Sequence, residues 1–446
     1  MPTKIGMVSL GCPKNQVDAE MMMHKLREAG YALSQDPALA EVVIINTCGF
    51  IESAKQEAIE ETMEYITLKK EGRIKKLLLT GCLAERYREE IREEMPEVDA
   101  VVGIGSNKDI VSIVESVLHD KKVCRFGDKC DLPLEGERVL STLPFYAYLK
   151  IAEGCDNRCS YCAIPDIRGR FRSRPMESLL AEAETLAAKG VKELVVVAQD
   201  PTRYGKDLYG EYKLAELLRN LAKIDGFRWI RVLYAYPERI TEELLDVIAS
   251  EPKVVKYLDL PIQHCDRDIL RAMRRPGDRE SLEKLIAHLR ERVPGITLRT
   301  TLIAGFPGET EAQFEELCDF VQKMRFDRLG CFAYSQEEGT PAAEMDGQLD
   351  DETKAERARI INEEQMGIMA EKNEEAVGKE LLCVVEGYDR WGECFFGRGE
   401  ADAPDIDGKV FFTAKNKLAI GQFVRVKVED TMDLDLIGVV TDEHPE

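Results

Sequence analysis

The feature that most constrains the fold is a rhythm. Short apolar runs alternate with amphipathic stretches, one strand and one helix per repeat, over most of the chain. Residues 4–10, 42–47, 76–80 and 98–102 read as strands, and 54–68 and 84–94 between them as helices. Strands spaced this way need right-handed crossovers and pair in parallel, so the first unit is expected to be a doubly wound α/β domain. A loop with Pro133, Gly136 and Pro144 follows, and the rhythm restarts near Phe145. Residues 146–152, 193–198, 229–234, 257–261, 297–304 and 328–334 are the next strand candidates. Six strands with intervening helices predict a partial (βα)6 barrel whose functional groups gather at the strand C-termini. A stretch over 351–375, rich in Glu, Lys, Arg and Ala, predicts a connecting helix. After Gly378 short strands with frequent turns, at 381–385, 393–398, 409–412 and 423–428, predict a small antiparallel β-barrel. The resulting division is 1–135, 141–372 and 376–446, which suits 446 residues at roughly 150 per domain.

Composition narrows the chemistry. The net charge is −22 with 44% apolar residues, and no apolar run approaches the roughly 18 residues of a membrane span. The N-terminus has no apolar segment followed by a small-residue cleavage site, so a cytoplasmic location without membrane contact is expected. Thirteen cysteines in that compartment favour metal or redox chemistry over disulfides. The five histidines form no H-E-x-x-H pair, which weighs against zinc-hydrolase chemistry. An acidic total also weighs against binding dominated by phosphate contacts.

The strongest local signal is Cys155-Asp-Asn-Arg-Cys159-Ser-Tyr-Cys162, directly after the 146–152 strand. Three neighbouring thiolates can hold three irons of a 4Fe-4S cluster and leave the fourth iron open to an exchangeable ligand. Zinc and incidental burial are the competing readings, and no fourth Cys or His lies nearby to close a zinc site. A second set is long-range. Cys12, Cys48 and Cys82 each follow a predicted strand, each has a glycine neighbour (Gly11, Gly49, Gly81), and they are spaced one strand-helix unit apart. Strand ends of a parallel sheet share one edge, so these thiolates can converge on a second open cluster, against the plainer reading that they fill small buried positions.

Taken together, these motifs resemble the radical S-adenosylmethionine methylthiotransferase family. The resemblance rests on Ser9-Leu-Gly-Cys12-Pro-Lys-Asn15, Asn46-Thr-Cys48-Gly-Phe50, Thr80-Gly-Cys82-Leu83, the 155–162 motif with Ile164 to Pro175 behind it, and the C-terminal barrel. It covers essentially the whole chain, in the family's order: an N-terminal cluster domain, a radical barrel and a TRAM barrel. Residues 11–15 and 46–51 resemble the branch acting on an aspartate of small-subunit ribosomal protein uS12. The resemblance implies two 4Fe-4S clusters and S-adenosylmethionine as cofactors. Cys155, Cys159 and Cys162 would hold the cluster that generates the 5'-deoxyadenosyl radical. Cys12, Cys48 and Cys82 would hold the auxiliary cluster, whose sulfur is methylated by a second S-adenosylmethionine. Tyr161 matches an aromatic near the adenine, and Gly305-Phe-Pro-Gly308 looks like a cofactor-lining turn. Implied partners are uS12 or the small ribosomal subunit, an electron donor such as flavodoxin or ferredoxin, and a sulfur donor, with the enzyme acting as a monomer.

Weaker signals are Gln199 and Asp200, at a strand end suited to cofactor contact or to capping a turn, and the arginines Arg168, Arg170, Arg172 and Arg174, suited to anion binding or to an ion-paired interface. No further catalytic residue is identified, and the seven remaining cysteines read as packing residues. The alternatives are a tRNA adenosine methylthiotransferase using the same clusters, and a non-enzymatic iron-sulfur electron carrier or RNA-binding scaffold. The C-terminal module carries 8 basic against 15 acidic residues, so Glu400, Asp402, Asp405 and Asp407 are expected to steer a basic ribosomal protein rather than RNA.

Overall fold

The computed structural model describes residues 2–445. Its N-terminal sheet has six parallel strands in the order Ala32–Leu33, Lys4–Ser9, Val42–Thr47, Lys76–Gly81, Ala100–Val102, Val123–Arg125. Alternation along the strands makes it doubly wound. Val43, Ile45, Leu77 and Leu79 pack on one face with helix Glu52–Lys70, while Val42, Ile44 and Leu78 pack on the other with Pro13–Glu28 and Ile110–Leu118. The two outer strands, of two and three residues, are too short to display a sequence period.

The second sheet is also parallel and six-stranded, running Tyr146–Lys150, Glu193–Val197, Trp229–Val232, Val254–Asp259, Thr297–Ala304, Arg328–Ala333. Its first and last strands do not pair, so it is an open partial barrel. The strand expected over 146–152 breaks at Ile151. Ala152–Glu153 turns away and pairs antiparallel with Arg172–Ser173, forming a ribbon that closes the base of the loop holding Cys155, Cys159 and Cys162.

Helix Asp351–Ala376 then leads into a closed five-stranded barrel, Glu380–Asp389, Cys394–Gly399, Val410–Thr413, Asp435–Asp442, Phe423–Met432 in bonding order. Four ladders are antiparallel and one, between Val410–Thr413 and Asp435–Asp442, is parallel. The 435–442 strand escaped the sequence reading because Asp435 and Gly438 interrupt its apolar pattern.

The small barrel packs against the end of the partial barrel opposite to the cysteine loops, which corrects the steering expectation for Asp402 and Asp407. Asp402 pairs with Arg328 at 2.5 Å, Asp405 accepts from Tyr146 at 3.0 Å, and Asp407 accepts from Tyr257 at 2.7 Å. The Glu400 backbone carbonyl accepts from Arg231, and Arg398 pairs with Glu193. Tyr146, Glu193 and Arg328 are the first residues of their strands. Asp402 and Asp407 thus spend their charge inside the molecule, while Glu400 and Asp405 remain exposed.

Candidate active site

The N-terminal cysteines share one edge of their sheet. Cys12 caps helix Pro13–Glu28, Cys48 follows Val42–Thr47, and Cys82 opens the short helix Cys82–Arg86. Gly11 is required by the approach of two of these loops: at φ +84° a Cβ there would fall 2.7 Å from Cys48 Sγ. Asn15 laces the loops together, its side-chain amide donating to the Leu10, Asn46 and Thr47 carbonyls at 2.8, 3.2 and 3.2 Å. The Asn46 amide in turn donates to the Asn15 carbonyl at 2.7 Å.

Burial, with Cys82 and Cys12 beside it, pushes the Cys48 thiol up to about 12. Burial pushes Cys82 up too, against the pull of Arg168. Thiols in mutual electrostatic reach that resist ionisation are deprotonated by the metal they bind. Among the described residues no three His, Cys, Asp or Glu side chains close around a single ion. Cluster thiolates bind different irons, so they stand further apart than the ligands of one zinc ion.

The second set lies at the mouth of the partial barrel. Cys159 Sγ is 3.0 Å from the Tyr236 hydroxyl, and the Tyr236 ring is held between Arg275 at 4.0 Å and Arg239 at 4.8 Å. Arg239 continues to Asp200 at 2.6 Å and Asn157 at 2.8 Å, and Asn157 donates to Asp200 at 2.9 Å. Asp200 is therefore tied into the support of the cysteine loop. Burial pushes the Cys155 thiol up to about 11, and Cys162 is raised by burial and by Cys159 and Cys155.

Tyr161 packs in a cluster with Phe306, Tyr334, Ile269 and Met273, so it meets the glycine-rich turn after Thr297–Ala304. In that turn Gly305 has φ +76°, and a Cβ there would fall 2.6 Å from Lys354 Cγ, so its missing side chain makes room for helix Asp351–Ala376. The Gly305 N–H donates to Glu309, which also binds Arg357 at 2.8 Å, and the Gly308 N–H donates to the Gly347 carbonyl at 2.9 Å.

The arginine-rich segment divides. Arg168 is buried, pairs with Asp18 at 2.6 Å and Glu153 at 3.0 Å, donates to Asn15 at 3.0 Å and lies 3.5 Å from Cys82 Sγ. Arg174 pairs with Glu182 at 2.7 Å, Arg172 donates to the Lys129 and Cys130 carbonyls, and Arg170 is exposed. Lys150 joins Asp18 and Glu153 from below, and Gln199 donates to Glu153 at 2.5 Å. Burial opposes the charge of Glu153, yet Arg168 and Lys150 hold its carboxyl well below the usual range. Asp18 and Glu153 were not singled out in the sequence. Glu153 lies two residues before Cys155 in a buried strand, a readable signal, whereas Asp18 sits on a helix face it shares with Lys14 and Asn15. Of the cysteines outside the two sets, Cys265, Cys331 and Cys383 are buried, Cys318 and Cys394 are half-buried, and Cys124 and Cys130 are exposed rather than packed.

One loop links the two sets. Tyr236 touches Cys159, and two residues earlier Tyr234 lies under Lys14, whose ammonium is 3.5 Å from the ring centroid and within electrostatic reach of Cys12.

Comparison with known proteins agrees with this layout. The Radical SAM superfamily matches residues 149–321, Uncharacterized protein family UPF0004 matches 4–103, and the TRAM domain matches 377–441. The chain is 50% identical over 441 residues to ribosomal protein uS12 methylthiotransferase RimO of Desulforamulus reducens, covering 98% of this chain and 99% of that one. It is 50% identical over 452 residues to the protein of the same name from Acetivibrio thermocellus, covering 99% of each. Among solved structures it resembles TsrM, a radical S-adenosylmethionine methyltransferase from Kitasatospora setae solved with cobalamin and a 4Fe-4S cluster. The TM-score is 0.57 at 16% identity over 77% of each chain, a likeness of fold.

Proposed function

The chain belongs to the ribosomal protein uS12 methylthiotransferase family, and from that premise we infer that it transfers a methylthio group to the β-carbon of an aspartate in uS12. The observation that carries the reading is the junction of the two cysteine sets across residues 234–236. In this reading Cys155, Cys159 and Cys162 hold one 4Fe-4S cluster, and Cys12, Cys48 and Cys82 hold the other. When bound, these groups and S-adenosylmethionine supply a carbon-centred radical on one side of the junction and a methylthio group on the other.

The chain's own residues position and insulate. Asn15 fixes the Cys12 and Cys48 loops relative to one another. Arg168 places a positive charge beside Cys82 and offsets the accumulation of thiolate charge in a buried place. The Asn157, Asp200 and Arg239 network holds the 155–162 loop over the strand ends. Tyr161 offers an aromatic face next to Cys162 and packs against Phe306, which supports a cofactor contact at Tyr161; Gly308, open on its side-chain face, and the Gly305 backbone, whose side-chain face is taken by Lys354, complete the turn in this reading. Gln199, oriented by Glu153, is the fourth contact of this reading. The division into units 1–135, 141–372 and 376–446 is part of the same proposal. So are a cytoplasmic location, a monomeric enzyme, and a flavodoxin or ferredoxin donor with a separate sulfur donor.

The test is mass spectrometry of ribosomal proteins and tRNA from cells with and without the gene. The reading requires a methylthio group on a uS12 aspartate that disappears with the gene, and unaltered tRNA. A gene-dependent tRNA adenosine modification with unmodified uS12 overturns it.

A further inference from the structure

Eleven Lys and Arg residues are buried among the described residues, and ten of them have a carboxylate within ion-pair distance. Lys14 is the eleventh. It is 8% exposed, its ammonium lies 3.5 Å from the centroid of the Tyr234 ring, and Cys12 and Glu153 act on it from beyond ion-pair distance. Burying a cation without an anionic partner is costly, and a ring face repays only part of what water or a carboxylate supplies.

Its setting adds to the positive potential. Lys14 stands in the first turn of the 16-residue helix Pro13–Glu28, which carries no acidic residue in that turn, and the capping residue Cys12 makes no side-chain capping bond. A cation at this end of a helix adds to the partial positive charge there, the opposite of the usual stabilising arrangement. Tyr234, which holds the ammonium, has φ +68°, an uncommon conformation for a non-glycine residue. Its N–H donates to Asp259 at 2.9 Å, so the ring is fixed from the interior of the partial barrel.

Place completes the argument. Lys14 comes from the N-terminal domain, two residues after Cys12, and Tyr234 from a strand end of the partial barrel, two residues before the tyrosine that touches Cys159. The ammonium therefore lies between the loop that carries Cys12 and the loop whose Tyr236 touches Cys159. In an aspartate side chain the carboxylate is bonded directly to the β-carbon, so a cation that seats the carboxylate also fixes the carbon to be modified.

We propose that Lys14, held over the Tyr234 ring, is the specificity residue that pairs with the carboxylate of the substrate aspartate and presents its β-carbon to both cysteine sets. The proposal rests on the uS12 reading and deepens it. It is tested with the full chain, reconstituted anaerobically and left unreduced, titrated with purified uS12 and with a uS12 variant carrying Asn in place of the modified aspartate. The wild type is expected to bind the aspartate form at least about tenfold more tightly. Lys14→Met is expected to lose that preference and Lys14→Arg to keep most of it, with iron content equal in all three. Equal affinity of the wild type for the two forms overturns the proposal, as does an undiminished preference in Lys14→Met. Should Lys14→Met lose iron, the wild-type comparison and Lys14→Arg decide the matter. Methylthiolation of wild-type uS12 after reduction is measured in parallel. Its absence counts against the uS12 reading itself, whereas its presence with no preference for aspartate counts against Lys14 alone.

Discussion

Arg168 donates to Asp18 and Asn15 in one domain and to Glu153 in the next, and its guanidinium stands 3.5 Å from Cys82 Sγ. Removing it leaves two buried carboxylates short of a partner, so Arg168→Met is expected to destabilise the fold by roughly 3–5 kcal/mol. A lowered first unfolding transition, with preferential loss of iron from the N-terminal set, is the result to look for. The thiols give a prediction about pH. Because Cys48 is raised to about 12 and Cys155 to about 11, the reactive thiolate in the iron-free chain is scarce at neutral pH. Iodoacetamide labelling of these two is expected to rise about tenfold per pH unit between roughly pH 8 and 10. The exposed Cys124 and Cys130 should be labelled first, and peptide mapping of the labelled chain separates the sites. The cysteine sets themselves were legible in the sequence because each thiol follows a strand. Lys14 stood in plain view within Gly11 to Asn15, yet nothing in one dimension shows that a buried cation lacks a counter-charge.

At the scale of elements, the loop after Lys4–Ser9 works only because Gly11 has no side chain. Gly11→Ala puts a Cβ against Cys48 Sγ in a backbone conformation that costs an alanine about 1 kcal/mol or more. Iron analysis is expected to show roughly half the wild-type content, with the 155–162 site still filled. The core strands of both sheets could be read because 42–47 opens on a continuous apolar run and 297–304 alternates buried and half-buried residues, and both agree to the residue. Elements shorter than one period could not. The Ala152–Glu153 ribbon was absorbed into the preceding strand because Ile151 keeps the apolar run going while the backbone changes partners. Gly305 was legible as a glycine turn, but whether such a turn admits a ligand or a helix is decided by Lys354, some fifty residues away.

For the whole molecule, the small C-terminal barrel is a plug as well as a domain. Asp402 and Asp407 satisfy Arg328 and Tyr257 inside the partial barrel, so a charge count along the sequence does not say which acids of the module face solvent. Asp402→Asn combined with Asp407→Asn is expected to loosen this closure, and hydrogen exchange should speed up in residues 376–446 and at the first turns of the 146–150 and 328–333 strands. Two cysteine sets divide one reaction across the junction at residues 234–236. This division is tested most directly by measuring 5'-deoxyadenosine and methylthiolated uS12 side by side in the reconstituted chain and its two triple alanine variants. The account predicts that the variant lacking Cys12, Cys48 and Cys82 still forms 5'-deoxyadenosine but yields no methylthiolated uS12, and that the variant lacking Cys155, Cys159 and Cys162 forms neither. Methylthiolated uS12 from the first variant would contradict it.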